Sequence, residues 1–241
     1  MKIQTRVFAD ADALSRGALE EVLRIVREMV GRTGRCSISL SGGHTPEKMF
    51  ELWARDEYQE GTPWEGLHLF WGDERYVPRT DALSNYAMTK RTLLDRVPIR
   101  AANVHAMPTE FHKPEEAARA YEAELRGFFG AEAPAFDVQL LGLGGEGHTA
   151  SLFPANAALE EKAAWCLAVT VPADPPQRLT LTYPIIDQAR NTYFLVAGES
   201  KKAILGAIAG EPESGASQYP AARVRPSGAL WWYLDRAAAG Q

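Results

Sequence analysis

The sequence predicts an α/β fold with a largely parallel sheet, and three observations carry that prediction. Strand-like and helix-like segments alternate along the 241 residues, the order that builds parallel sheets through helical crossovers. The run Phe136–Leu143 is apolar except at Asp137 and Gln139, as a central strand covered on both faces should be. Glycine-rich turns follow several of the strand-like runs, at the end where open α/β sheets bind ligands.

The elements follow in order. Leu14, Ala18, Val22, Ile25 and Met29 recur at helical spacing over residues 10–30. Cys36-Ser37-Ile38-Ser39-Leu40 reads as a strand and Pro46–Arg55 as a helix. Leu67–Trp71 is strand-like, and Asn85–Asp95 reads as a helix with Ser84 as its N-cap. Lys113–Phe129 is an amphipathic helix. Residues 165–171, 178–182 and 192–197 are strand candidates, residues 200–209 a helix, and Gly210–Ser217 a loop. Leu230–Leu234 fits either a last strand or a buried helical turn. No Pro/Gly/Ser-rich linker divides the chain, which predicts one domain over residues 1–241.

Composition narrows the function classes. A hydrophobic fraction of 46% and a charged fraction of 24% belong to an ordinary globular chain. The net charge of −5 argues against a nucleic-acid partner. No apolar stretch approaches the ~20 residues of a membrane span, and no apolar signal core follows Met1–Arg6, so a cytoplasmic location with no membrane partner is expected. Cys36 and Cys166 lie in apolar runs and read as buried thiols. His44, His68, His105, His112 and His148 lack metal-ligand spacing; neither metal nor cofactor is expected, and the chain is expected to be a monomer.

Three stretches carry chemistry. In Ser41-Gly42-Gly43-His44-Thr45-Pro46 a strand ends in two glycines; Thr45 can cap the next helix and Pro46 suits its first position. Backbone N–H groups and a helix dipole then face the sheet edge, a place that attracts phosphate, although an ordinary βα turn would have the same composition. Asp73-Glu74-Arg75 follows the apolar strand, as a binding cluster or as a solvated loop. In Gly142-Leu143-Gly144-Gly145-Glu146-Gly147-His148 the glycines present a histidine at a strand's carboxyl end. A lone histidine is often a core residue; one in a glycine turn is better placed for acid–base work. The stretch lacks the G-x-G-x-x-G placement of a dinucleotide site, and neither Ser41 nor Ser151 sits in a nucleophile elbow.

Together, Ser41-Gly42-Gly43-x-Thr45-Pro46, Asp73-Glu74-Arg75 and Gly142-x-Gly144-x-x-Gly147-His148-Thr149-Ala150-Ser151-Leu152-Phe153-Pro154 resemble the 6-phosphogluconolactonase family. Pro176–Thr182, Gly198-x-x-Lys201 and Pro220-Ala221-Ala222 extend the resemblance over nearly the whole chain, in family order. It implies a doubly wound fold with helices on both faces, shared with glucosamine-6-phosphate deaminases and ribose-5-phosphate isomerases. It also implies hydrolysis of 6-phosphogluconolactone, the pentose phosphate lactone, with His148 catalytic and Arg75 nearby. His148 and Arg75 are the candidate catalytic residues, Arg75 offering paired N–H donors to the substrate or the developing oxyanion. Gly42, Gly43, Thr45, Arg178 and Lys201 are then expected around the phosphate, and Ser41, Asp73, Gly145 and Gly147 complete the candidate substrate contacts. One departure is visible: the family's Asp-Gly-His here reads Glu146-Gly147-His148. A deaminase or isomerase would continue toward Phe-Asn-Glu-Pro and carry Tyr after its acidic pair, where this chain has Ser151-Leu152-Phe153-Pro154 and Arg75. A non-catalytic sugar-phosphate sensor would bring a basic DNA-binding segment, which the sequence does not contain.

Overall fold

The computed structural model describes residues 4–130, 134–210 and 217–241. The strands are β1 (Gln4–Phe8), β2 (Cys36–Leu40), β3 (Leu67–Trp71), β4 (Asp73–Arg75), β5 (Val104–His105), β6 (Val138–Leu141), β7 (Cys166–Thr170), β8 (Gln177–Leu181), β9 (Asn191–Val196) and β10 (Ala229–Asp235). The helices are α1 (Ala11–Thr33), α2 (His44–Trp53), α3 (Asp56–Gln59), α4 (Asn85–Thr92), α5 (Pro114–Phe129), α6 (Tyr183–Ile186), α7 (Lys202–Ala209), α8 (Pro220–Arg223) and α9 (Arg236–Ala239).

Seven strands form one parallel sheet in the order β1–β10–β9–β6–β2–β3–β5. The chain leaves β2 toward β3 on one side and leaves β6 toward β9 on the other. Right-handed crossovers of opposite direction put helices on opposite faces, which is the doubly wound arrangement. α1 packs on α2, and α2 on α4, along one face. The strands β4, β8 and β7 form a second, antiparallel sheet, against which α5 packs. This sheet departs from expectation: residues 165–171 and 178–182 are strands, but they join each other and Asp73–Arg75 instead of the parallel sheet.

Local chemistry explains the ends of the elements. Asp10 caps α1 by accepting from the Ala13 N–H at 2.7 Å, and Gly34 closes it at φ 78°. Ser84 caps α4, its Oγ accepting from the Ala87 N–H at 3.1 Å. Thr45 does not cap α2. Gly43 holds that position at φ 97°, which admits glycine readily, so the helix starts at His44 and Pro46 falls on its third residue. Leu230–Leu234 resolves as strand, inside β10. Residues 211–216 of the expected loop lie outside the described residues.

The two polar residues in the apolar run that contains β6 have partners. Asp137 accepts from the Ser37 N–H at 2.9 Å and from Arg190 Nη1 at 3.1 Å, and Gln139 Nε2 donates to the Ile186 carbonyl at 3.3 Å. Cys36 and Cys166 are free and buried, and burial pushes both thiols up. Among the described residues no helix is long and apolar enough to cross a membrane.

Candidate active site

Because the chain departs in opposite directions from β2 and β6, their carboxyl ends part and leave a crevice between the turns that follow them. A cleft of about 360 Å³ occupies it, bounded by Ser41–Gly43 after β2, Gly142–Glu146 and His148 after β6, and Asp73, Arg75 and Arg178 from the small sheet. The site therefore lies where the two sheets meet.

The turn after β6 is built around His148. The Gly144 N–H donates to the His148 carbonyl at 2.9 Å, and the Gly147 N–H to the Gly144 carbonyl at 3.1 Å. A Cβ on Gly144 would lie 2.0 Å from His148 Nδ1, so the imidazole occupies space that only glycine leaves free. Gly147 takes φ 85° and its carbonyl accepts from the Ala221 N–H. Phe153 stacks on the ring at 4.0 Å between centroids and 16° between planes. Glu146 Oε2 approaches Nδ1 to 3.1 Å. The approach has charge-pair distance without hydrogen-bond direction, since Nδ1 is buried and has no well-aligned partner. Burial lowers the His148 pKa; the Glu146 and Asp73 carboxylates oppose that shift, and the Lys201 charge adds to it. The net shift is downward, which keeps the imidazole neutral at physiological pH.

The cations come from three elements. In the β4–β8 ladder Arg75 stands directly opposite Arg178. Like charges directly opposite destabilise a sheet, an arrangement that an anion between them would relieve. Arg178 is buried, and its Nε donates to the Pro175 carbonyl at 2.8 Å. Burial and then the Arg75 charge lower its pKa. Lys201 follows the Gly198 turn and its Nζ donates to the Leu143 carbonyl at 2.6 Å, which ties the segment after β9 to the glycine turn. Among the described residues, the backbone N–H groups of Gly42, Gly43 and Gly145 have no protein acceptor.

The acidic pair divides its work. Asp73 accepts from Ser151 Oγ at 2.7 Å at the cleft wall. Glu74 is buried and turns away from the cleft: it accepts from the N–H groups of Arg75, Asn85 and Tyr86 and from Ser84 Oγ, which fastens β4 to the start of α4.

Of the candidates read from the sequence, Ser41, Gly42, Gly43, Asp73, Arg75, Gly145, His148, Arg178 and Lys201 line one cleft. Thr45 is the second residue of α2 and does not line it, and Gly147 contributes by shaping the turn. Sequence reasoning did not assign Asn85 or Ser151 to the site, and both line it. Among the described residues, no group of three or more His, Cys, Asp or Glu side chains could hold a metal ion.

The family described as glucosamine-6-phosphate isomerases/6-phosphogluconolactonase matches residues 9–232. The chain belongs to that family. It is 44% identical to a 6-phosphogluconolactonase of Synechocystis sp. over 241 residues, covering 99% of this chain and 98% of the relative. A solved 6-phosphogluconolactonase from Trypanosoma cruzi superposes with a TM-score of 0.85 at 28% identity, covering 100% of this chain and 97% of the other. A monomeric glucosamine-6-phosphate deaminase, at 18% identity and a TM-score of 0.81 with 99% of each chain covered, shares the fold. The family's two named activities thus sit on one scaffold, and the side chains in the cleft must separate them.

Proposed function

We propose that this protein hydrolyses 6-phospho-D-glucono-1,5-lactone to 6-phospho-D-gluconate, the lactonase step of the oxidative pentose phosphate pathway. The observation that carries this reading is His148: a desolvated imidazole with a lowered pKa, facing a cleft lined by three cations. The lactonase names of full-length relatives support the same reading.

In this mechanism Nδ1 carries the proton, near the Glu146 charge, leaving Nε2 as the free base. Nε2 takes a proton from water as the water oxygen attacks the lactone carbonyl. The tetrahedral intermediate collapses by breaking the bond to the ring oxygen, which receives the proton from the imidazolium; the new carboxylic acid then ionises. A general base of this kind contributes about 10²–10⁴-fold. The phosphate lies on the free N–H groups of the Gly42–Gly43 turn, beside the α2 N-terminus, with Arg178 and Lys201 supplying charge. Arg75, facing Arg178, adds a third cation, so we assign it to the charge of the phosphorylated substrate. Anchoring the remote phosphate makes attack at the carbonyl effectively intramolecular.

The decisive experiment is turnover of fresh 6-phosphogluconolactone by the wild-type protein and by His148→Ala, with spontaneous hydrolysis subtracted. The variant should lose 10²–10⁴-fold in kcat and still bind 6-phosphogluconate. A variant with near-normal kcat removes His148 from the mechanism, and a wild-type protein inactive on the lactone removes the function.

A further inference from the structure

Asn85 does more at this site than begin a helix. The residue is 2% exposed, and each of its polar atoms has a partner, three of them in β4 and one in α4. Oδ1 accepts from Arg75 Nη1 at 2.7 Å, and Nδ2 donates to the Asp73 carbonyl at 2.9 Å. Its N–H donates to Glu74 Oε1 at 2.7 Å, and its carbonyl accepts from Thr89 Oγ1 at 2.9 Å. The amide has one workable orientation, since a flip would set an NH₂ against a guanidinium and an oxygen against a carbonyl. The same Oδ1 lies over Gly42, where a Cβ would come within 2.0 Å of it. One amide therefore touches both the candidate anion turn and a candidate anion-binding arginine.

We propose that Asn85 is a positioning residue that holds the Arg75 guanidinium beside the Gly42 turn, and so sets the selectivity of the site for phosphorylated over neutral lactones. The proposal rests on the lactonase reading above. In the free protein Arg75 faces the like charge of Arg178 across the ladder, and repulsion drives its long side chain toward solvent. Two acceptors resist: the Leu83 carbonyl, at 2.8 Å from Nη1, and Asn85 Oδ1. A carboxylate at position 85 would hold the guanidinium as well but would neutralise it. An amide fixes the position and leaves the full charge for the substrate. Because Arg75 is already ordered, less side-chain freedom is lost when the anion arrives.

The test compares Asn85→Ala, Asn85→Asp and Gly42→Ala with wild type on 6-phosphogluconolactone and on unphosphorylated gluconolactone. A hydrogen bond to a charged group sets the scale, so Asn85→Ala should raise KM for the phosphorylated lactone by about tenfold to a hundredfold. Its kcat should fall much less, and kcat/KM for gluconolactone should change least. Asn85→Asp should show the same selectivity loss although its carboxylate still orders Arg75. In Gly42→Ala the new methyl collides with Oδ1, so the double variant with Asn85→Ala should bind no worse than Asn85→Ala alone. Equal losses on both lactones, or additive losses in the double variant, would overturn the proposal. A readout without substrate separates it from the lactonase reading. The Arg75 side-chain ¹⁵N signals, assigned with Arg75→Lys, should show hindered Nη exchange in wild type that is lost in Asn85→Ala. If those signals are alike, Asn85 does not position Arg75, whatever the protein hydrolyses; if they differ and no lactone is turned over, only the function is wrong.

Discussion

Gly144→Ala tests the geometry of the His148 turn with a single methyl group. Gly144 is not among the glycines at positive φ, so alanine meets no backbone penalty there and the effect is steric. The added Cβ would lie 2.0 Å from Nδ1 and 2.2 Å from Cε1 of His148, whereas ordinary contact begins at 3.4 Å. The ring must therefore move by about 1.4 Å, or tilt by an equivalent amount. Phe153 is stacked on the ring and restricts where it can go. Displacement of a reacting group by 1 Å can cost on the order of 10²-fold, and complete loss of the base costs up to about 10⁴-fold. The expected loss in kcat is about 10²–10³-fold, equivalent to about 3–4 kcal/mol of barrier. Acid release from 6-phosphogluconolactone, blank-corrected, gives kcat; circular dichroism and binding of 6-phosphogluconate check the fold and the phosphate end. A folded variant that binds product normally and keeps kcat within threefold of wild type would refute the claim that this glycine exists to seat the imidazole.

Further outcomes are expected from other perturbations. On gluconolactone, which has no titrating phosphate, kcat/KM should fall as pH drops through a pKa below the usual ~6.5 of histidine, because burial lowers that of His148. Glu146→Gln removes a charge that raises this pKa, so the acidic limb should move further down, with a several-fold drop in kcat as the imidazolium loses its counter-charge; an unmoved limb would show that the 3.1 Å contact is incidental. Arg178→Met removes one of two facing cations, and should leave Tm of the free protein little changed while reducing the Tm gain on adding 6-phosphogluconate. A large Tm loss in the free protein would instead make Arg178 structural. Away from the cleft, His68 meets His105 at 3.1 Å and feels the Arg35 charge, and burial holds its pKa down near about 4. Below pH ~6.5 the unfolded chain takes up a proton there that the folded chain refuses, so stability falls as pH drops toward 4. His68→Gln should flatten the Tm profile in that window, and an unchanged slope would rule His68 out as its source.

The parts of the molecule that could be read from sequence are those where local chemistry leaves few options. A pair of glycines after an apolar strand, or four glycines framing a histidine, must open space for something, and both turns line the cleft. The α1 pattern is similarly local, since five apolar residues at helical spacing over residues 10–30 define a helix. What escaped depended on partners distant in sequence. β1 is nearly all exposed and is held by backbone pairing at the sheet edge, so it has no apolar signature. Asp73–Arg75 reads in sequence as a binding cluster or a solvated loop, and only pairing with β8, about a hundred residues later, makes it a strand. The register that sets Arg75 against Arg178 exists only once that pairing forms. Thr45 was misplaced because Gly43, by reaching φ 97°, begins α2 earlier than a threonine cap would. Asn85 carries no signal at all: after a serine cap, asparagine is an ordinary first helical residue, and its link to Gly42 appears only in three dimensions.

The pairing of β1 with β10 joins the first strand described to one that is synthesised some 220 residues later. A ribosome adds roughly 5–20 residues per second, so β1 waits about 10–45 s before the strand that will hold it emerges. Every side chain assigned to the cleft, from Ser41 to Lys201, leaves the ribosome before Ala229 does. A nascent chain stalled short of β10 thus carries the whole proposed chemistry on an unfinished scaffold, with the edge of β9 bare and α1 lacking the strand it packs against. Such an edge invites pairing with a neighbouring chain, and chaperones acting on this protein should engage it most strongly in that interval.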